Sequence, residues 1–193
     1  EEGNIRELDL FVLDRALAQV DRWREEGLAV VPVSVNLSRV TLRHPSTLAS
    51  VLAIQSRYPR LPPETLELEI TESADALETG QLKEVVERFR ACGLRIGLDD
   101  FGSQYANLPL FANVKFDVVK LDRGLIAGMA SSAISRMLVR DIVQICQTGG
   151  MTCVAEGVET PEQVSALMEA GCQYAQGYYY GRPMPAELFW EKY

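Results

Sequence analysis

Short apolar segments alternate with amphipathic helical segments along almost the whole sequence. Six segments are predicted to be strands, at about residues 31–38, 66–71, 95–99, 118–122, 152–155 and 173–179, and the first of them is short, β-branched and bounded by turn residues. Their cores are nearly continuously apolar, which is typical of parallel strands buried under helices. The alternation therefore predicts an α/β fold.

Apolar residues at helical spacing, together with capping and breaking residues, predict the helices between these strands. They span about residues 5–26, 46–58, 82–92, 134–148 and 161–170, with a short helix after Pro185. The first helix is predicted to be amphipathic, with an apolar stripe formed by Ile5, Leu8, Val12, Ala16, Val20 and Trp23. The long fourth helix is marked by an apolar stripe formed by Ile134, Leu138, Ile142 and Ile145.

An open doubly wound sheet and a (β/α) barrel both fit this alternation. No glycine-rich phosphate-binding sequence follows the first strand, as a nucleotide-binding doubly wound fold would usually show, and this favours the barrel. With 193 residues, of which 47% are apolar, the chain is large enough to bury one core. It contains no internal repeat, low-complexity tract or linker, so we expect a single domain over residues 1–193.

The composition excludes several classes of protein. The formal net charge of −8 argues against a broad basic surface for long nucleic acids. His44 is the only histidine and lies in a loop sequence, so a histidine-based catalytic or metal site is not expected. No apolar run is long enough to span a membrane. We expect a cytoplasmic domain without membrane contact, excised from a longer parent protein that could itself be membrane-anchored.

The sulfur-containing residues are predicted to pack in the core. The four cysteines, none of them in a Cys-x-x-Cys pair, are Cys92, Cys146, Cys153 and Cys172. Each lies in an apolar or helical stretch, where a reduced cysteine packs as a small hydrophobic residue. The same role is expected of three methionines, Met129, Met137 and Met168.

Acidic and amide side chains gather at the predicted carboxyl ends of the strands. They are Asn36, Glu69, Glu72, Asp99, Asp100, Asp122, Glu156, Glu159 and Gln176, with Lys120 inside the fourth strand. In a (β/α) barrel these ends share one mouth, where catalytic sites are built. Clustered carboxylates repel one another unless hard divalent cations neutralise them. The pattern therefore predicts Mg²⁺ or Mn²⁺, and two ions fit the number of ligands better than one.

Structural interpretations of the same residues stay open. A single acidic residue after a strand, such as Asp100, is commonly a helix cap or a turn former. Lys120 lies between apolar neighbours and needs a charged partner, so it could form a structural ion pair. Glu72 and Glu159 could be capping residues.

The Asp-Phe-Gly triplet of kinases is present at residues 100–102, but the glycine-rich loop and the His-Arg-Asp sequence are absent, which excludes a kinase.

Six motifs, in order over almost the whole chain, resemble those of EAL domains, the cyclic di-GMP phosphodiesterases of bacterial signalling. They are Ser34-Val35-Asn36-Leu37-Ser38, Leu68-Glu69-Ile70-Thr71-Glu72-Ser73, Gly97-Leu98-Asp99-Asp100-Phe101-Gly102, Val119-Lys120-Leu121-Asp122, Val154-Ala155-Glu156-Gly157-Val158-Glu159-Thr160 and Gln176-Gly177-Tyr178. The resemblance implies a modified TIM-like (β/α) barrel, here missing the first strands. It also implies hydrolysis of cyclic di-GMP to linear pGpG by a two-metal mechanism, and a possible homodimer.

The resemblance also implies a role for each site residue. The two ions would be held by Asn36, Glu69, Asp99, Asp100 and Glu156, with Asp99 between them. The catalytic residues would be Lys120, which helps to position the attacking water, and Glu156. The substrate would be bound near Asp122, Glu159 and Gln176. A loop beside the site would be supported by Glu72.

Two features depart from the family pattern. The Glu-Ala-Leu signature is absent because the sequence starts downstream of it, which removes one metal-ligand glutamate. The family's Gly-Tyr-Ser-Ser loop is replaced by Gln104-Tyr105-Ala106-Asn107. We therefore expect impaired hydrolysis by this chain. Two alternatives stay open: an inactive EAL-like domain that binds cyclic di-GMP or a protein partner, and a metal-dependent barrel enzyme of small-molecule metabolism.

Overall fold

The computed structural model describes residues 2–71, 79–103 and 108–192. Its helices are α1 (Glu2–Glu25), α2 (Arg39–Arg43), α3 (Thr47–Gln55), α4 (Thr79–Ala91), α5 (Leu108–Asn113), α6 (Arg123–Met129), α7 (Ala133–Gly149), α8 (Pro161–Glu169) and α9 (Ala186–Lys192). Its strands are β1 (Val33–Asn36), β2 (Leu66–Thr71), β3 (Arg95–Phe101), β4 (Val118–Leu121), β5 (Thr152–Ala155) and β6 (Tyr174–Ala175). All six predicted strands are present, which confirms the predicted alternation.

The strands form a sheet whose order follows the sequence, β1-β2-β3-β4-β5-β6. Strands β1 and β2 are parallel, with Asn36 opposite Glu69. Strands β4 and β5 are parallel, with Lys120 opposite Val154, and β5 is parallel to β6. Parallel strands joined by helices confirm the predicted α/β class. In such pairs the carboxyl ends of both strands lie at the same edge of the sheet.

The chain divides into two compact units. The first comprises the described residues up to Leu98 together with residues 108–116, and the second comprises residues 99–103 and 117–192. In the first unit the core includes Leu13, Leu17, Val35, Leu66, Leu68, Ile70 and Leu82. In the second unit it includes Val119, Leu121, Ile126, Val139, Val143 and Ala155. Each unit thus buries the apolar residues of its own strands against its helices.

Three short helices were not predicted from the sequence. They are α2, α5 and α6, each no longer than two helical turns. Two of them begin at a capping side chain: Ser38 accepts a hydrogen bond from the Thr41 amide, and Asp122 accepts one from the Gly124 amide. Segments this short do not repeat an apolar stripe, so hydrophobic periodicity does not reveal them.

Helices α1 and α7 are both present, but each buries only part of the apolar stripe that predicted it, including Val20 on α1 and Ile142 on α7. Helix α1 buries Leu13, Leu17 and Val20 and exposes Ile5, Leu8 and Val12. Helix α7 buries Val139, Ile142, Val143 and Cys146 and exposes Ile134, Leu138 and Ile145. Both helices carry apolar residues on more than one face, so spacing alone does not identify the face that packs.

The expected packing of the sulfur-containing residues is confirmed only in part. Met129, Cys146 and Cys153 are buried. Met137 and Met168 are mainly exposed, at 56% and 73%, and Cys92 is also exposed. No helix in the described ranges combines the length and the apolarity that a bilayer span requires.

Candidate functional site

Two adjacent aspartates lie at the carboxyl end of β3. Successive side chains of a regular strand point to opposite faces, which would separate Asp99 from Asp100. Asp100, however, has φ of 56°, in the left-handed region that residues other than glycine seldom adopt. This local break in the strand allows the two carboxylates to reach the same cluster. Backbone strain of this kind is typical of functional sites.

Lys120 lies in the middle of β4, which is buried along its length. The side chains of Val119 and Leu121 are fully buried on the other face of this strand. The Lys120 ammonium lies 3.2 Å from Oδ1 of Asp99 and 2.6 Å from Oε1 of Glu156. The charged partner expected for this lysine is therefore a pair of carboxylates.

Glu156 and Gln176 are positioned by hydrogen bonds that extend the strand ladder beyond β5 and β6. The Glu156 amide donates to the Leu121 carbonyl at 3.1 Å, and the Gln176 amide donates to the Ala155 carbonyl at 2.8 Å. The Gln176 side-chain amide then donates to Oε1 of Glu156 at 2.5 Å. One carboxylate oxygen thus interacts with both Lys120 and Gln176, which defines the orientation of Glu156.

The arrangement fits a hard divalent cation. One carboxylate oxygen from each of Asp99, Asp100 and Glu156 can be chosen so that all three lie within 4.8 Å of one another. Partial burial raises the pKa of Asp100, and the charges of Asp99 and Asp122 raise it further, whereas Lys120 lowers it. Repulsion among these carboxylates is the electrostatic condition that a divalent cation relieves.

Asn36 and Glu69 belong to the first unit. They are opposite each other in the parallel register of β1 and β2, and the Leu37 amide donates to the Glu69 carbonyl at 2.9 Å. The Glu69 side chain is buried, with 3% exposed, whereas Asn36 is exposed. Two of the predicted ligands are thus brought together at the end of their own strand pair.

Asp122 and Glu159 have different surroundings from the carboxylate cluster. Oδ1 of Asp122 accepts a hydrogen bond of 2.8 Å from the Gly124 amide, so Asp122 caps α6. Glu159 is exposed, and its amide donates to the Gln163 side chain at 2.7 Å, beside the capping box of α8. Both residues line the cavity of the second unit. The Asp122 side chain therefore both caps α6 and lines the cavity.

A cavity of about 710 Å³ opens beside the carboxylates of the second unit. Its lining includes four acidic residues, Asp100, Asp122, Glu156 and Glu159. It also includes three residues to which no role was assigned from the sequence: Arg123, Tyr178 and Arg182. The guanidinium of Arg182 lies 4.5 Å from the centre of the Tyr178 ring, in cation–π geometry.

The three additional cavity residues carried weak sequence signals. Arg123 directly follows the strand-end residue Asp122, and Tyr178 stands in the Gln176-Gly177-Tyr178 motif. Arg182 lies in an irregular segment that has no periodic pattern. The predicted Glu72 and the loop of residues 104–107 lie outside the described residues.

Comparison with known proteins identifies the family. The family model described as the EAL domain matches residues 1–183. The bifunctional diguanylate cyclase/cyclic di-GMP phosphodiesterase MucR of Pseudomonas aeruginosa is 36% identical over 96% of this chain and 27% of its own length. The cyclic di-GMP phosphodiesterase PdeR of Escherichia coli is 30% identical over 98% of this chain and 28% of its own length. The chain thus spans about a quarter of these relatives.

Solved structures support the same assignment. The PaMucR phosphodiesterase in complex with c-di-GMP matches with a TM-score of 0.87 and 35% identity, over 96% of this chain and 75% of that chain. The EAL domain of Mycobacterium smegmatis DcpA matches with a TM-score of 0.90 and 30% identity, over 97% of this chain and 84% of that chain. These likenesses confirm the predicted modified TIM-like fold. The chain belongs to the EAL domain family.

Proposed function

We propose that this chain carries the active-site residues of a cyclic di-GMP phosphodiesterase. The reaction is hydrolysis of one phosphodiester bond of the cyclic dinucleotide, which leaves linear pGpG. The names of MucR, PdeR and the P. aeruginosa phosphodiesterase NbdA, which is 33% identical over 95% of this chain, support the substrate. The chemistry of the carboxylate cluster supports the reaction type.

The observation that carries the proposal is the position of Lys120 between Asp99 and Glu156. A lysine that is 8% exposed and contacts two carboxylates can hold a water molecule in a defined direction by hydrogen bonding. The adjoining cavity of about 710 Å³ lies within the range of small-molecule sites, about 300–1,000 Å³. Glu156 lines this cavity and contacts the lysine, so a dinucleotide phosphate bound there would lie next to the cluster that contains Lys120.

The proposed cofactors are two Mg²⁺ or Mn²⁺ ions. Their ligands would be Asp99, Asp100 and Glu156 in the second unit and Asn36 and Glu69 in the first. When bound, two such ions lower the pKa of water and neutralise charge on the phosphate oxygens. They also relieve the repulsion that raises the pKa of Asp100.

The protein's own groups supply orientation and charge. Lys120 donates hydrogen bonds toward the attacking water, and Gln176 keeps the Glu156 carboxylate in place through its hydrogen bond of 2.5 Å. Arg123 and Arg182 line the cavity and offset the negative charge of the substrate phosphates. Asp122 and Glu159 line the same cavity and would accept hydrogen bonds from substrate groups.

The remaining expectations stay part of the proposal. Residues 1–193 act as one domain in the cytoplasm, Glu72 supports the loop beside the site, and two copies can pair as a homodimer. Sedimentation of the purified domain tests whether it forms a homodimer. The domain has no role in binding long nucleic acids.

The test is release of pGpG by the full-length parent protein. Purified protein is incubated with cyclic di-GMP and Mn²⁺ or Mg²⁺, and the product is quantified by chromatography. Glu156→Gln keeps the size of the side chain but removes its charge, so product release is expected to fall by at least a hundredfold. Glu187→Gln, in the exposed first turn of α9, is the matched control and should retain activity.

Two results would favour other functions. Tight cyclic di-GMP binding without any pGpG would favour the receptor alternative over the phosphodiesterase. The protein could instead neither bind nor hydrolyse cyclic di-GMP and still show a higher melting temperature with Mn²⁺. This result would favour a metal-dependent enzyme that acts on another small molecule.

A further inference from the structure

Three of the four cysteines meet where α7, β5 and the segment before β6 come together. Cys146, near the end of α7, is fully buried, and Cys153, the second residue of β5, is 6% exposed. Cys172, between α8 and β6, is partly exposed. The Cys153 thiol interacts with the thiols of both Cys146 and Cys172, which raises its pKa. None of the three belongs to the carboxylate cluster.

Backbone geometry places Cys172 against Cys153. Strands β5 and β6 are parallel, with Val154 opposite Tyr174. Cys153 directly precedes Val154 on β5, and Cys172 stands two residues before Tyr174 on the neighbouring segment. The Cys172 sulfur lies 3.7 Å from the carbonyl oxygen of Cys153 and 3.3 Å from that of Tyr174. The adjoining turn is held by Gln147, whose side-chain amide donates to the Gly171 carbonyl at 3.0 Å.

The two sulfurs differ in ionisation and in access to solvent. The hydrogen bond with Cys153, together with backbone groups of Tyr174 and Ala155, lowers the pKa of Cys172 to about 7 against the opposing effect of burial. The pKa of Cys153 is raised by its hydrogen bonds with Cys146 and Cys172 and by burial. A partly exposed thiolate beside a buried thiol is the arrangement in which one sulfur reacts with an oxidant and the other resolves the product.

We propose that Cys172 and Cys153 form a peroxide-sensitive dithiol, in which Cys172 is oxidised first and Cys153 closes a disulfide with it. The Cys172 thiolate attacks one oxygen of a hydroperoxide, so that an S–O bond forms, the O–O bond breaks, and the released hydroxide takes up a proton. The Cys153 sulfur then attacks the sulfenic sulfur. The S–S bond forms, the S–O bond breaks, and the oxygen leaves as water with the Cys153 proton. Two thiols and one peroxide thus give one disulfide and two waters.

The test is oxidation of the 193-residue chain by hydrogen peroxide, followed by alkylation under denaturing conditions and mass spectrometry. Loss of two of the four alkylatable thiols and of two mass units is expected. Trypsin does not separate the clustered cysteines, since neither Lys nor Arg occurs between Asp141 and Gly181. Cleavage after Glu156 does separate Cys153 from Cys172, so the disulfide joins two peptides. Cys146 and Cys153 share one of these peptides, and fragment ions formed by breaking the chain between them show which of the two is bonded to Cys172.

Four serine variants assign the roles. Cys153→Ser should lose the disulfide and accumulate sulfenic acid at residue 172, trapped by dimedone. Cys172→Ser should slow loss of peroxide-sensitive thiols at least tenfold. Cys146→Ser and the control Cys92→Ser, which lies outside the cluster, should still form the disulfide. Any one of three results would overturn the proposal. They are retention of all four thiols in the wild type, a disulfide between other cysteines, and faster oxidation of Cys92 than of Cys172. The wild-type mapping decides it even if a variant does not fold.

Discussion

The Lys120 ammonium lies 2.6 Å from Oε1 of Glu156. Burying two charges is costly unless each is paired and hydrogen bonded. Here the pair joins two parallel strands, and both side chains are mostly buried, with 10% and 15% exposed. The pair is therefore more than a surface ion pair, whose contribution to stability would be small. Its position beside Asp99 and Asp100 makes it the feature on which the predictions for catalysis depend.

Replacement of Lys120 by Ala should reduce hydrolysis far more than substrate binding. The change removes the group that holds the attacking water but leaves the carboxylates, so pGpG release is expected to fall by about 10²–10⁴-fold. The dissociation constant for cyclic di-GMP should change by less than about tenfold. Both are measured on the parent protein, by product chromatography and by calorimetry.

The matched control is Lys83→Ala, since Lys83 is half-exposed on α4 and lies 3.9 Å from Glu87. It should leave both measurements unchanged. Unaltered turnover in Lys120→Ala would reduce Lys120 to a structural ion pair.

Replacement of Asp99 by Asn should abolish most of the stabilisation by Mn²⁺. A ligand that binds only the folded state at 100 times its dissociation constant adds about 2.7 kcal/mol, or roughly 5–10 °C in Tm for a domain of this size. Asp99→Asn keeps the side chain's shape and removes a carboxylate from the cluster. Asp141→Asn is the control, because Asp141 is 60% exposed and its carboxylate pairs with Arg140 at 3.6 Å, on the surface of α7. Equal shifts of Tm in the two variants would contradict the metal assignment.

Two glycines with nearly equal backbone angles should respond differently to Ala. Gly150 and Gly157 have φ of 69° and 65°, so each Ala variant bears a left-handed cost of about 1–2 kcal/mol. Apart from its chain neighbours, no atom of the described residues lies within 4 Å of a Cβ placed at Gly150, whereas a Cβ at Gly157 would overlap the Arg123 side chain. Overlap should add about 1–3 kcal/mol at Gly157. Urea unfolding measures both, and equal losses would mean that Arg123 moves aside freely.

The stability contributed by Asp21 should depend on pH. A side-chain hydrogen bond from Arg60, at 2.5 Å, lowers the pKa of Asp21 in the folded state. A lowered folded-state pKa stabilises the protein above the unfolded-state value, which is about 3.9, and this contribution is lost as pH falls through the folded-state value. The difference in unfolding free energy between wild type and Asp21→Asn should therefore be constant near pH 6–7 and shrink below about pH 4. Urea unfolding at several pH values measures it, and a difference that grows on acidification would contradict the assignment.

The sequence by itself determined the type and order of the main elements. Strands β2 and β5 have the predicted bounds, because each is a short segment that ends where the sequence changes to polar or turn-forming residues, Glu72-Ser73 after β2 and Glu156-Gly157 after β5. The start of α8 was equally clear, since Thr160, Pro161 and Gln163 supply a cap, a helix-compatible first residue and a capping-box partner. The identity of the acidic residues at the strand ends was also readable, because parallel topology brings neighbouring strand ends to one edge.

Only the tertiary structure decided which side chains meet. The contact of Lys120 and Gln176 with one oxygen of Glu156 joins three strands and is not encoded by any local spacing. The left-handed conformation of Asp100 likewise depends on its surroundings, since aspartate alone does not favour it.

Tertiary packing also determines the buried faces of α1 and α7 and the cysteine cluster. On α1, Leu13 is fully buried and Leu8 is 60% exposed, although both are equally apolar. Cys146 and Cys153 are close in sequence, but Cys172 joins them only because β6 lies beside β5. Local propensity determines whether a segment is a helix or a strand, whereas burial depends on contacts between segments distant in sequence, and only packing determines those contacts.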